Sequence, residues 1–169
     1  MRSAGVLLLA ASALGAASLA AESPDKDSTA VLELGGAAAW GVPGGGSSGG
    51  PAVAVEVTPI ENWLELEGGV TGLFAKGSSE WDTDLVFKKP WTLSRKAEFM
   101  AGIGPEWVHT GQNGATSNAI AGEAVLDFMF WPAKRRRFGW YFEPAYDYSF
   151  GHGHEQSVGV TGGLLIAIR

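Results

Sequence analysis

From Val31 onward, apolar and polar residues alternate with a period of two, and the alternation restarts after each cluster of Gly, Pro, Ser or Lys. Segments of this kind run over 31–41, 52–58, 62–74, 81–88, 96–109, 119–131, 138–150 and 156–168. The breaks between them, at 44–50, 59–61, 76–79, 89–92, 110–118, 132–135 and 151–154, hold residues suited to turns: Gly supplies positive φ, and Pro cannot donate to a ladder. No long stretch has the helical period. The chain therefore reads as all-β, and an even strand count with hairpin connections predicts an eight-stranded antiparallel up-and-down barrel over 31–169.

Alternation by itself leaves open which face is inside. In the fifth segment Phe99, Ala101, Ile103, Pro105 and Trp107 share one face, and Glu98, Met100, Gly102, Gly104 and Glu106 share the other. The sixth sets Ile120, Leu126, Phe128 and Phe130 against Glu123 and Asp127, and the seventh sets Phe138, Trp140, Phe142, Tyr146 and Phe150 against Glu143 and Asp147. A soluble barrel puts the aromatic face inside, whereas an outer-membrane barrel puts it outside. Two features select the second. The acidic face carries small residues between its carboxylates (Ala52, Ala54, Gly69, Thr71, Gly102, Gly104, Ala121, Ala145, Gly159, Gly163) and almost no mid-strand Lys, as a narrow lumen requires. Aromatic residues also gather at both sets of strand ends. Trp40, Phe74, Trp81, Trp107 and Phe150 mark one end, and Trp63, Trp91, Phe130, Trp131 and Trp140 mark the other, which is the two-girdle pattern of a transmembrane β-barrel. Phe99, Ile103, Leu126, Phe128, Phe142 and Leu164 are then expected to face lipid.

The segment before the barrel has a different character. Arg2, the small-residue and leucine-rich run 5–17 and Ser18-Leu19-Ala20 form the pattern of a secretory signal peptide over 1–20, followed by a short periplasmic segment at 21–30. With the N-terminus periplasmic, loops 44–50, 75–80, 110–118 and 151–155 fall outside the cell, and 59–61, 89–95 and 132–137 fall in the periplasm. Lys76 is then the outer base, while Lys88, Lys89, Arg95, Lys96, Lys134, Arg135, Arg136, Arg137 and Arg169 gather at the periplasmic rim. Such a rim can meet anionic lipid heads or acids at the lumen mouth, and a merely solvated basic turn fits the arginine run equally well.

Composition narrows the function classes. Only 18% of residues are charged and 25 are Gly, which excludes a polyelectrolyte or a helical bundle. With no Cys there is no disulfide, thiolate metal site or cysteine nucleophile. The net charge of −6 argues against a nucleic-acid partner.

The pattern over Val31 to Arg169 resembles the small eight-stranded outer-membrane proteins of the OmpA/OmpX and opacity-antigen type. The last segment, Thr161-Gly162-Gly163-Leu164-Leu165-Ile166-Ala167-Ile168, is similar to the assembly signal of barrel proteins: a polar residue, Gly two on, then apolar residues at alternate positions. It departs from that signal by ending on Arg169 instead of an aromatic residue. The resemblance implies an integral outer-membrane protein of a diderm bacterium, with lipids and the barrel-assembly machinery as partners and a structural or surface role. It assigns no oligomeric state.

The candidate chemistry lies in the inward face. Glu33, Glu56, Glu65, Glu67, Asp84, Glu98, Glu106, Glu123, Asp127, Glu143 and Asp147 share it, with no mid-strand base expected. Two like charges ~4 Å apart repel by about 4 kcal/mol at an effective dielectric of 20, so these acids need protons, rim bases, a bond to Tyr141 or bound cations. They form either a polar plug, with Trp63, Met100, Tyr141 and Leu165 completing the closure, or a narrow cation-selective path. His109, His152 and His154 are weak metal candidates at the outer rim. A lipid-modifying enzyme is the most distant reading. Its groups would be Ser157, His154 and Asp147 or Glu155, but Ser157 points to the lumen and no spaced catalytic motif is present. The Gly-rich stretch 44–50 lacks the Gly-Lys-Ser/Thr ending of a phosphate loop, so no cofactor is expected.

Overall fold

The computed structural model describes residues 30–133, 136–151 and 153–168. They form β1 (Ala30–Val42), β2 (Ser47–Ile60), β3 (Leu64–Ala75), β4 (Ser78–Ser94), β5 (Ala97–Gln112), β6 (Ala115–Phe130), β7 (Phe138–Ser149) and β8 (Gln156–Ile168). Each strand pairs antiparallel with the next, and β1 pairs with β8 from Ala30↔Ile168 to Val42↔Gln156, so the barrel is closed and has no free edge. The chain is an eight-stranded, all-antiparallel up-and-down barrel. The signal-peptide and 21–29 readings lie outside the described residues.

The strands are longer, and their connections shorter, than the turn signals suggest. The expected 110–118 loop contracts to Asn113-Gly114, both at positive φ (51° and 82°), and β5 and β6 pair right up to Gln112↔Ala115. Asn-Gly suits this two-residue turn because its backbone twist matches that of the strands it joins. The glycine-rich 44–50 stretch enters β2 at Ser47, where Ser47 pairs with Trp40. At the other end β4 does not stop at Lys88. It runs to Ser94, pairing with β5 through Pro90↔Met100 and Trp91↔Phe99. The last β4 residue paired with β3 is Lys88, opposite Glu65, so Pro90 sits where β4 has one neighbour, and a strand edge tolerates the missing N–H.

Residue parity sorts the two faces as the alternation predicts. Leu34, Val53, Val55, Val70, Leu85, Phe87, Ile103, Leu126, Phe142 and Leu164 point outward and are exposed. Aromatic pairs flank this band: Phe74 meets Trp81 edge-on at 5.8 Å, Trp91 stacks on Phe99 at 5.5 Å and Phe130 stacks on Trp140 at 4.0 Å. Inside, Met100, Met129, Trp131, Tyr141 and Leu165 form a buried apolar cluster, with Val31 and Ala167 packed against it. The plug lies at the end of the barrel where β1 starts and β8 ends.

Two aromatic residues depart from expectation. Trp63, read both as a girdle residue and as part of the lumen filling, is 59% exposed and does not fill the lumen, because it lies in the β2–β3 turn, after Asn62 at φ 57°, where strand parity no longer operates. Trp131, expected in the rim girdle, is 3% exposed. It continues the inward parity of Met129 past the end of β6, and its backbone N–H donates to the Lys96 carbonyl at 2.7 Å.

Candidate functional site

The extension of β4 places a base at mid-lumen. Lys88 shares the inward parity of Val86 and Asp84 and is 1% exposed, so the expectation of no mid-strand base, with Lys88 at the rim, is overturned. Its ammonium donates to Glu67 on β3 and Glu143 on β7 at 2.5 Å each, and to Asp127 on β6 at 3.1 Å. Three donors meet three carboxylates, which is the full capacity of an ammonium group. Gly102 on β5 makes room for the lysine stem: a Cβ there would meet Lys88 Cγ at 2.8 Å and Val86 Cγ1 at 2.7 Å.

Around this ion-pair centre the acids form tiers, in an order set by the strand register. Glu33, Glu56 and Glu65 are buried on the plug side, at 1%, 3% and 3% exposure, with Glu65 opposite Lys88 and Glu56 opposite Glu67. On the other side come Asp84 and Glu123, opposite Gly69 and Asp147 respectively. Beyond them Glu80, Asp82, Glu106 and Asp147 line a cavity of about 790 Å³ at the end formed by the β1–β2, β3–β4, β5–β6 and β7–β8 connections. In this vestibule Thr110 donates to Glu80 at 3.1 Å and Ser157 donates to Asp147 at 2.9 Å. One carboxylate oxygen on each of Asp82, Asp84, Glu123 and Asp147 is buried without a donor from the described residues. At the opposite mouth Arg136 pairs with Glu98 at 2.8 Å and donates to the Arg95 carbonyl at 3.4 Å. One arginine of the run thus reaches the lumen, while Arg137 lies over the Phe138 ring.

The eleven carboxylates singled out above therefore all lie in the barrel interior, but in different settings. Glu67, Asp127 and Glu143 hold Lys88; Glu98 holds Arg136; Glu65 lies beside the centre; Glu123, Glu106 and Asp147 lead outward. Lys88 is the functional residue that the sequence reading misplaced, whereas Arg136 meets an acid at the lumen mouth, one of the partners expected of the basic rim. For Lys88 the signal was present in its shared parity with Asp84, and it was obscured by treating Lys89-Pro90 as a turn. Which arginine of the run turns inward was not legible, since Arg136, at φ 40° in a connection, follows no strand parity.

The two described histidines do not converge. His109 bonds Asn118 at 2.8 Å, His154 bonds Tyr148 at 3.1 Å, and His152 lies outside the described residues. Ser157 engages Asp147 and His154 engages Tyr148, so among the described residues these groups form no serine–histidine relay. What the interior can do chemically is bind and balance charge.

No protein-family model and no curated protein sequence matches the chain. Solved structures do. The chain is similar to Neisserial surface protein A (TM-score 0.65, 10% identity, covering 82% of this chain and 96% of that one). It is also similar to the N-terminal β-barrel domain of Pseudomonas aeruginosa OprF (TM-score 0.60, 8% identity, 82% and 98% covered). A third similarity is to Ail, the attachment invasion locus protein of Yersinia pestis (TM-score 0.54, 10% identity, 81% and 97% covered). The chain has the fold of these small eight-stranded barrels.

Proposed function

We propose that this protein is an integral outer-membrane β-barrel of a diderm bacterium with a structural or surface role. The observation that carries the proposal is the inversion of the usual arrangement: a closed barrel with a continuous exposed apolar band outside and ion-paired carboxylates inside. Water would make such an exterior a liability, since exposed apolar patches of this extent drive association, whereas lipid makes it the correct solvent-facing surface. The flanking aromatic residues supply the interfacial anchors. The β1–β2, β3–β4, β5–β6 and β7–β8 connections face outward in this reading, which opens the acidic vestibule to the exterior and puts the plug on the periplasmic side. Membrane lipids and the barrel-assembly machinery, acting on β8, are the partners it needs.

A narrow cation path is the second reading, favoured by the unpartnered acid oxygens that run inward from the vestibule. The fully buried Met100, Met129 and Leu165, together with the Lys88 centre, favour a closed barrel. Fractionation with gel mobility before and after boiling tests the main proposal. The native protein is expected in the outer-membrane fraction, with a fast-migrating folded band that shifts on heating. Recovery in the soluble periplasmic fraction would sink it.

A further inference from the structure

On the plug side of Lys88 the acids converge. Glu33, Glu56, Glu67 and Asp127, from β1, β2, β3 and β6, each bring one carboxylate oxygen to within 4.8 Å of the others. Their exposures are 1%, 3%, 4% and 0%. Lys88 takes up Glu67 Oε2, Asp127 Oδ2 and Glu143 Oε2. Glu33 Oε1, Glu56 Oε2 and Asp127 Oδ1 are buried with no hydrogen-bond donor from the described residues. Leaving a buried carboxylate oxygen without a donor is costly, and here three such oxygens occur in one cluster. A single ammonium cannot balance the five carboxylates of Glu33, Glu56, Glu67, Asp127 and Glu143.

We infer that this cluster binds one divalent cation of the hard, oxygen-preferring class, with Ca²⁺ the best fit. The donor set is all carboxylate, with no imidazole or thiolate, which disfavours Zn²⁺ and Cu²⁺. Size separates the remainder. Ca²⁺–oxygen bonds of about 2.3–2.6 Å put opposite ligands roughly 4.6–5.2 Å apart, whereas Mg²⁺ holds them near 4.1 Å. Four oxygens within 4.8 Å of one another fit around Ca²⁺, and in a site this buried Mg²⁺ would have to shed a water shell that it gives up reluctantly, which favours the larger ion. The apolar plug of Met100, Met129, Trp131, Tyr141 and Leu165 closes the lumen on the side of the site away from the vestibule. Once bound, the ion ties β1, β2, β3 and β6 together across the lumen. The site needs only the closed barrel and is independent of the role proposed for the outer surface.

The test uses the protein folded in detergent micelles and stripped with chelator. Tb³⁺, a luminescent substitute for Ca²⁺ excited through neighbouring Tyr and Trp rings, is expected to bind with one ion per chain and to be displaced by Ca²⁺ at concentrations where Mg²⁺ has no effect. Ca²⁺ is also expected to raise the urea midpoint. Glu33→Gln and Glu56→Gln each weaken Ca²⁺ binding by about tenfold or more, because affinity follows ligand charge. They abolish the Ca²⁺-dependent rise while raising the midpoint in chelator, since each relieves repulsion; this opposite response also means that neither variant endangers folding. Asp82→Asn in the vestibule leaves equilibrium affinity within about threefold of wild type, since its charge lies beyond a tier of closer acids. Tb³⁺ emission that Ca²⁺ does not displace overturns the inference. So does Ca²⁺ binding unchanged in both glutamine variants, which would assign the ion to the vestibule. A midpoint that responds to acidification and not to Ca²⁺ would assign neutralisation to protons alone.

Discussion

Replacing Lys88 with Met keeps most of the stem volume and removes the charge from the centre of the lumen. The wild-type ammonium lies 2.5 Å from Glu67, 2.5 Å from Glu143 and 3.1 Å from Asp127, and its side chain is fully buried. At an effective dielectric of 20, one contact at ~4 Å contributes about 4 kcal/mol of attraction, and these contacts are closer, so the gross attraction exceeds 10 kcal/mol. Desolvation of the four groups offsets most of it. What remains on removing one partner is the cost of stranded buried charge, about 3–5 kcal/mol. Lys88→Met is therefore expected to lower unfolding free energy by that amount, measured by urea titration in lipid vesicles with tryptophan fluorescence and with the folded gel band as second probe. Glu143→Gln alone should cost no more than about 1–2 kcal/mol, because it removes one acceptor and one source of repulsion together. Combined with Lys88→Met it should recover at least ~1 kcal/mol, the mark of a directly coupled pair. A Lys88→Met barrel within ~1 kcal/mol of wild type, or a double variant showing no recovery, would refute the claim that this lysine holds the lumen together.

Three further outcomes are expected. Leu126→Arg, at an exposed outward position in mid-β6, should cost about 2–4 kcal/mol in vesicles, and Trp63→Arg at the turn at most ~1 kcal/mol; equal costs at the two sites would contradict the lipid-facing band. Gly163→Val puts a Cβ 2.1 Å from the Leu34 carbonyl and 2.5 Å from Gly35 Cα at the β1–β8 seam, and should destabilise by about 1–3 kcal/mol or more; a folded-band yield and urea midpoint equal to wild type would show that the seam has slack. In planar bilayers the wild-type protein should give no large steady conductance, and any small cation-selective events should shrink in Glu123→Gln/Asp127→Asn, which keeps side-chain size and removes the attracting field. Large or anion-preferring channels would show that the plug does not close the lumen.

The sequence by itself determined the strand count, the barrel class and the inside-out assignment, because a period of two is a local property that every strand displays independently. Phe99 opposite Glu98, and Leu126 opposite Asp127, carry that information wherever the strands begin and end. The acidic character of the lumen followed from the same parity. The tertiary structure alone decided where the strands stop and what the acids meet. Lys89-Pro90 looks like a break in the chain, yet it becomes strand because β5 continues alongside and β3 has already turned away. That difference of a few residues moves Lys88 from rim to centre. Trp63 and Trp131, both at this end, part for the same reason, one leaving the ladder at a turn and staying exposed, the other carrying parity beyond its strand into the lumen. The meeting of Glu33, Glu56, Glu67 and Asp127 depends on the relative stagger of four strands around a closed sheet. Stagger is set by pairing between segments far apart in the chain, and no local pattern records it.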